Sequence, residues 1–234
     1  TELQSLYITG NEISSINISN NLKLESVSLN YNSLESIDLK SNTALKFFSA
    51  IGNPFKVTTI DINNNLELES FFIGGNSDSQ GNYGATTTLQ SGNLSISIPT
   101  YKSEITSIDF SNNSKLSHLD IRDSKLATFE VSNYSNLENI ERLSLANNYL
   151  NSLDLSGLIN LYQLNISGNK LTTVDVSMLD KLNSQGNISG SFASYSNLIL
   201  KCIMVSQNQL NSIPVSWIKD STANYSLNCI QTTY

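Results

Sequence analysis

Short apolar triplets recur along the chain at a nearly constant interval. Residues 24–39 read L-E-S-V-S-L-N-Y-N-S-L-E-S-I-D-L and residues 161–176 read L-Y-Q-L-N-I-S-G-N-K-L-T-T-V-D-V. Both fit L-x-x-L-x-L-x-x-N-x-L-x-x-I-D-L. We place the first inward residue of successive predicted strands at Leu6, Val27, Phe48, Phe71, Ile98, Leu119, Leu143, Leu164, Ile203 and Ile230. The intervals run 21, 21, 23, 27, 21, 24, 21, 39 and 27; four of nine are identical, which scattered apolar residues would not produce. In Val27-Ser28-Leu29 the period of two turns both aliphatics inward and Ser28 outward. The strands are expected to stack as a parallel sheet in which each coil buries its apolar face only against its neighbours. Leu34, Ile37 and Leu39 close the same core from the opposite wall. Each buried aliphatic contributes roughly 1.5–3 kcal/mol before the entropy of ordering.

The polar positions keep the same period. Asn stands at 11, 32, 53, 76, 148, 169 and 208, where the chain turns out of the strand and an amide can satisfy bent backbone groups. Ser15, Ser36, Thr59, Ser107, Thr128, Ser152, Thr173 and Ser212 precede the apolar anchor of the second wall, which suits a narrow second strand. Asp38, Asp61, Asp109, Glu130, Asp154 and Asp175 then form an acidic ladder. One carboxylate per coil does not make a calcium site, so the ladder reads as solvated surface.

These residues resemble the leucine-rich-repeat family, and the resemblance runs over essentially the whole chain. It implies a β-rich right-handed solenoid, with a curved parallel sheet on the concave side and short strands or turns on the convex side. Residues 1–234 are then a single domain of about ten coils. The short repeat, with S-I-D-L in its second half, is similar to secreted or cell-surface bacterial members. It departs from the internalin pattern, whose second half carries D-I-S-P-L-x-x-L, and lacks the longer helical half of many animal receptor repeats. The repeat at Ile98 is degenerate, with Thr100 and Ser103 where an aliphatic and the Asn belong. Gly-, Ser- and Asn-rich loop insertions are read at 77–97 and 183–197, either bordering the binding face or simply tolerated.

Composition narrows the function. The 234 residues are 39% hydrophobic and 14% charged, and 13 basic against 20 acidic residues give a net charge of −7. There is no basic stripe for a nucleic-acid backbone. The longest apolar run, Leu198–Val205, is broken by Lys201, well short of the ~20 residues of a membrane span. No export signal opens the chain and neither end shows a cap. A portion of a larger protein, or a mature chain with its signals elsewhere, is expected, outside the cell or on its surface. Cys202 and Cys229 fall at the same predicted repeat position in consecutive coils, so a disulfide is open to them, as are two free thiols. Two thiols and the distant single His118 give no metal-ligand set, and no cofactor is called for. Stretch 217–225 is read as a helical turn covering part of the last coil.

Candidate chemistry lies on the outward face of the main sheet, where large apolar groups are unusual. Phe47, Ile51, Phe72 and Tyr101 are read as an aromatic and apolar patch, with His118, Asp120, Arg122 and Arg142 as a charged cluster beside it. Aromatics next to Arg are typical of protein interfaces, so a protein ligand, host extracellular proteins included, is expected. A glycan stacking on the same rings, a spacer carrying another domain, and a patch covered by the 77–97 loop are the alternatives. His118-x-Asp120 has the form of a base with its orienting carboxylate, but no nucleophile signature accompanies it and Cys202 is too distant. A non-catalytic module is expected.

Overall fold

A computed structural model describes residues 2–77, 83–84, 86–91, 94–130, 137–182 and 191–229. In chain order its strands are β1 (Ser5–Tyr7), β2 (Ser26–Ser28), β3 (Phe47–Ile51), β4 (Ser70–Gly74), β5 (Thr86–Ser91), β6 (Leu94–Pro99) and β7 (His118–Arg122). There follow β8 (Arg142–Ser144), β9 (Gln163–Asn165), β10 (Thr173–Asp175), β11 (Phe192–Ala193) and β12 (Cys202–Met204). One helical turn, α1 (Gln207–Asn211), precedes β13 (Trp217–Ile218) and β14 (Asn224–Ser226).

Nine strands form the main sheet in the order β1-β2-β3-β4-β7-β8-β9-β11-β13, every pair parallel. Its central column runs Leu6, Val27, Phe48, Phe71, Leu119, Leu143, Leu164, Phe192 and Trp217. From Val27 onward these residues are buried, and aliphatics such as Leu34, Leu39 and Leu45 meet them from the opposite wall in one continuous core. The chain is a solenoid because each coil's inward face is apolar and only the neighbouring coils can cover it.

Seven of the ten expected anchors hold this register, and Ile98 and Ile203 do not. Ile98 lies in β6, which pairs antiparallel with β5 as a hairpin outside the main sheet. The interrupted coil starts at β4, and Ile105, Ile108 and Phe110 complete it after the insertion. An antiparallel bridge between Asn76 and Tyr101 pinches the insertion's base, with 2.8 Å N–H···O bonds both ways. The 48 residues between Phe71 and Leu119 thus hold one coil plus a hairpin, and Ile98 divided them deceptively into two coils.

Ile203 is misplaced by half a coil. L-K-C-I-M-V at 200–205 aligns with L-T-T-V-D-V at 171–176, so β12 pairs with β10 and β14 on the second wall, Val174 against Ile203 against Tyr225. Ile230 lies outside the described residues. The proposed insertion at 183–197 is also too long: Ser191–Asn197 belongs to a regular coil through β11, and 183–190 lie outside the described residues. Trp217–Ile218 is the ninth strand of the main sheet, not a helical turn. The helix lies earlier, as α1, with Ser206 and Gln209 closing a capping box.

Asn side chains tie successive coils together. Asn148 Nδ2 donates to Ile121 O (2.7 Å) and Leu145 O (3.0 Å), while its Oδ1 accepts from Leu126 N (3.1 Å). Asn53 and Asn169 repeat this at 19–24 residues' separation, and so does Asn197, which the overlong insertion had hidden. Asn208 is no member, because it lies inside α1. Asn76 serves the hairpin instead, donating to Pro99 O at 3.0 Å. A second Asn column, Asn42, Asn65 and Asn113, binds carbonyls of the preceding coil on the other flank, and Leu137 and Leu158 take over its turns in later coils.

Among the described residues the second wall is a ladder of strands at β10-β12-β14, with one isolated parallel bridge between Glu130 and Asp154; the earlier hydroxyl positions there carry no regular strand, and Ser212 caps α1. Its aspartates close turns: Asp38, Asp61, Asp109, Asp154 and Asp175 each accept from the backbone N–H two residues on, at 2.9–3.1 Å. Cys202 and Cys229 are bonded, with Cα atoms 5.7 Å apart. They do not share a register position: Cys202 pairs with Asn224, and Cys229 follows β14.

Candidate ligand-binding face and edge groove

Alternation along the short strands fixes which side chains face the concave side. One row across the sheet reads Phe47, Ser70, His118, Arg142 and Gln163, and the next Ser49, Phe72, Asp120, Ser144 and Asn165. Phe47 and Phe72 are diagonal neighbours and meet edge to face, with ring centroids 5.6 Å apart. On the next coil Arg122 grips Asp120, its Nε 2.9 Å from both carboxylate oxygens and its Nη2 bound to one of them. Phe72, His118, Asp120, Arg122 and Arg142 all line one shallow depression of about 240 Å³. Six of the eight sequence-derived residues, these five and Phe47, therefore occupy one face.

Their charge states follow from burial. Burial pushes the Asp120 carboxyl up from its ordinary value, against the hydrogen bond and charge of Arg122. Burial works against the Arg122 guanidinium too, but its bond to Asp120 and the charges of Asp120 and Asp123 outweigh this and raise it. Burial, then Arg142, lowers His118 below the usual imidazole range, with Glu141 opposing. His118 Nδ1 lies 2.8 Å from Ser117 Oγ, and Asp120 is spent on Arg122, so the two do not act as a base with its orienting carboxylate. Arg142 turns aside, its Nε donating to Tyr162 Oη at 2.5 Å and its guanidinium 5.2 Å from that ring.

Two expected members sit elsewhere. Tyr101 belongs to the base of the insertion, because the Ile98 register that aimed it at the concave face does not exist. Ile51, at the exit end of β3, stands in the same outward row as Arg122 and with it lines a groove along the sheet's edge, together with Tyr83 and Ile98. Phe72 lines the concave depression and not that groove.

This groove, about 970 Å³, is the feature sequence reasoning missed. Tyr31, Asp123, Asn147 and Ser196 adopt left-handed backbone (φ 54°, 49°, 56° and 59°) four residues after their strand anchors, where other coils have Gly10, Gly52 and Gly168. A bulky side chain there is unusual and projects from the edge. Position four after the anchor, Gly in some coils and Tyr or Asp in others, was the available signal. Buried Asp123 accepts from Tyr83 Oη (3.0 Å) and Asn147 Nδ2 (2.9 Å), docking the insertion onto the coils. Burial and the Asp123 charge push the Tyr83 phenol well up.

Comparison with known proteins bears on the architecture. Residues 160–182 match the family model described as Leucine Rich Repeat. Among solved structures, the chain is similar to an internalin of Listeria monocytogenes (TM-score 0.50, 22% identity, 92% of this chain and 50% of that one). It is also similar to a Leptospira interrogans leucine-rich-repeat protein (0.50, 17%, 97% and 62%). A plant ice-binding protein is a third neighbour (0.52, 18%, 95% and 65%). The chain spans about half the length of that internalin. No curated protein matches the sequence. Likeness at this identity establishes the shared fold, and proteins with so different a set of names share it.

Proposed function

The chain is a leucine-rich-repeat solenoid, and from that premise we propose that it is a non-catalytic recognition module that holds a protein ligand on its concave sheet. The observation that carries the reading is the pairing of Phe47 and Phe72 beside the Asp120–Arg122 clamp. The rings supply apolar area at low entropic cost, and the buried ion pair holds Arg122 ready for a partner's acceptor. His118 and Arg142 border the same depression and add polar contacts that set register. The Cys202–Cys229 bond favours an oxidising compartment, so we place the protein outside the cell or on its surface.

The test is capture from an array of extracellular proteins by the immobilised chain, with Phe72→Ser and Arg122→Ser variants as controls. Retention by the parent chain, weakened at least about tenfold in either variant, with little change in melting temperature for Phe72→Ser and a lowered one for Arg122→Ser as Asp120 loses its partner, supports the reading. Capture unchanged by both variants, or no capture, leaves the solenoid as a spacer and overturns it.

A further inference from the structure

The edge groove has a chemistry of its own. In a chain of net charge −7, six lysines are paired with carboxylates: Lys23, Lys40, Lys46, Lys56, Lys115 and Lys125. The other five lysines form no such ion pair among the described residues, and of these Lys102 and Lys170 line the groove. Both ammonium groups lie against one ring, that of Tyr149, at 4.0 Å and 4.7 Å from its centroid. Lys102 follows the Asn76–Tyr101 bridge and Lys170 lies in the coil after Tyr149, so folding alone brings them together. Two like charges converge where no carboxylate pairs with either, in a concavity open to solvent.

The floor of the groove excludes one obvious occupant. At the left-handed positions each backbone N–H is taken by the next coil: Tyr31 N to Ile51 O (2.7 Å), Asp123 N to Ala146 O (2.9 Å), Asn147 N to Ser167 O (2.8 Å) and Gly168 N to Tyr195 O (2.9 Å). An extended peptide would find few main-chain groups to pair with there. What remains are aromatic rings, amides and hydroxyls, presented by Tyr31, Tyr195 and Asn147 among others, while the lining carboxylate of Asp123 is engaged by Tyr83 and Asn147 and the guanidinium of Arg122 by Asp120. Rings suit the faces of sugars, amides and phenols suit their hydroxyls, and the two ammonium groups call for an anion.

We propose that the edge groove is a second binding site, for an acidic saccharide whose carboxylate or sulfate is held by Lys102 and Lys170 beside the Tyr149 ring. Tyr195 then contacts its ring and hydroxyls, and Tyr83 and Ile98 line the opposite side of the groove. The groove adjoins the concave depression, Arg122 and Asn165 lining both, but Lys102 and Lys170 line the groove alone, so their variants test it by itself.

The test is fluorescence anisotropy of the full chain with a labelled chondroitin sulfate hexasaccharide, which carries both carboxylate and sulfate. The expected result is saturable binding that weakens as salt rises from about 50 to about 300 mM. Lys102→Gln/Lys170→Gln is expected to weaken it at least about tenfold with an unchanged melting temperature, and Lys56→Gln to leave it intact. No binding, or binding equal in the double variant, overturns the proposal. A hexaglutamate peptide bound as tightly, with the same dependence on the two lysines, also overturns it and points to an acidic peptide.

Discussion

At the scale of single residues, much of this fold depends on side chains that replace missing backbone partners. Asn148 serves two carbonyls and one N–H, all buried. Removing it strands those groups without water, so Asn148→Ala is expected to cost about 2–4 kcal/mol in urea unfolding. The glycines of the edge separate backbone strain from collision. A Cβ at Gly10 (φ 72°) would meet open space, whereas one at Gly52 (φ 76°) would strike the Tyr31 ring. Gly10→Ala should cost about 1–2 kcal/mol and Gly52→Ala clearly more, by thermal melting of both variants. His118 gives a local probe of charge. Its imidazole NMR titration should have a midpoint below the ordinary 6.5, and Arg142→Ala should move it part of the way back, because burial remains. With the folded pKa depressed, this residue's contribution to stability is complete above about 6.5 and is lost as pH falls through the folded midpoint. The strand-end Asn residues were legible in the sequence wherever the period was read correctly. Tyr31 and Asn147 were not, because four positions past a strand anchor carries no apolar signal.

At the scale of elements, the period predicted strands well where coils are regular and failed where extra chain interrupts them. Strand β6, L-S-I-S-I-P, alternates apolar and polar residues like a strand of the main sheet, so Ile98 had the pattern of a coil anchor without its register. Only the Asn76–Tyr101 bridge distinguishes an insertion from a coil, and sequence does not announce such a bridge. It also makes the insertion separable. Excising residues 78–99 leaves Ser77 and Thr100 as a two-residue connection across that bridge. The shortened chain is expected to fold, losing about 1–3 kcal/mol with the Tyr83–Asp123 bond and hairpin packing, and circular dichroism with urea titration would measure it. Loss of the whole solenoid instead would show that the hairpin is part of its core.

At the scale of the whole molecule, stability passes from coil to coil, so the ends matter more than their size. The Cys202–Cys229 bond closes a 27-residue separation around the last second-wall strand. Cys202→Ser/Cys229→Ser should lower stability by roughly 3–4 kcal/mol, with early loss of protection at β12 and β14 in hydrogen exchange. The sequence alone determined the solenoid, because a 21-residue apolar period admits no other way of burying each coil than against its neighbours. It also determined the outward rows of β3, β4, β7 and β8, since alternation within a strand follows from backbone geometry. Tertiary structure alone decided which wall Ile203 occupies, where Tyr101 sits, and that Lys102 meets Lys170 on Tyr149. Those outcomes depend on how much chain is looped out between coils, and a period read along the sequence cannot distinguish residues inside a coil from residues set aside from it.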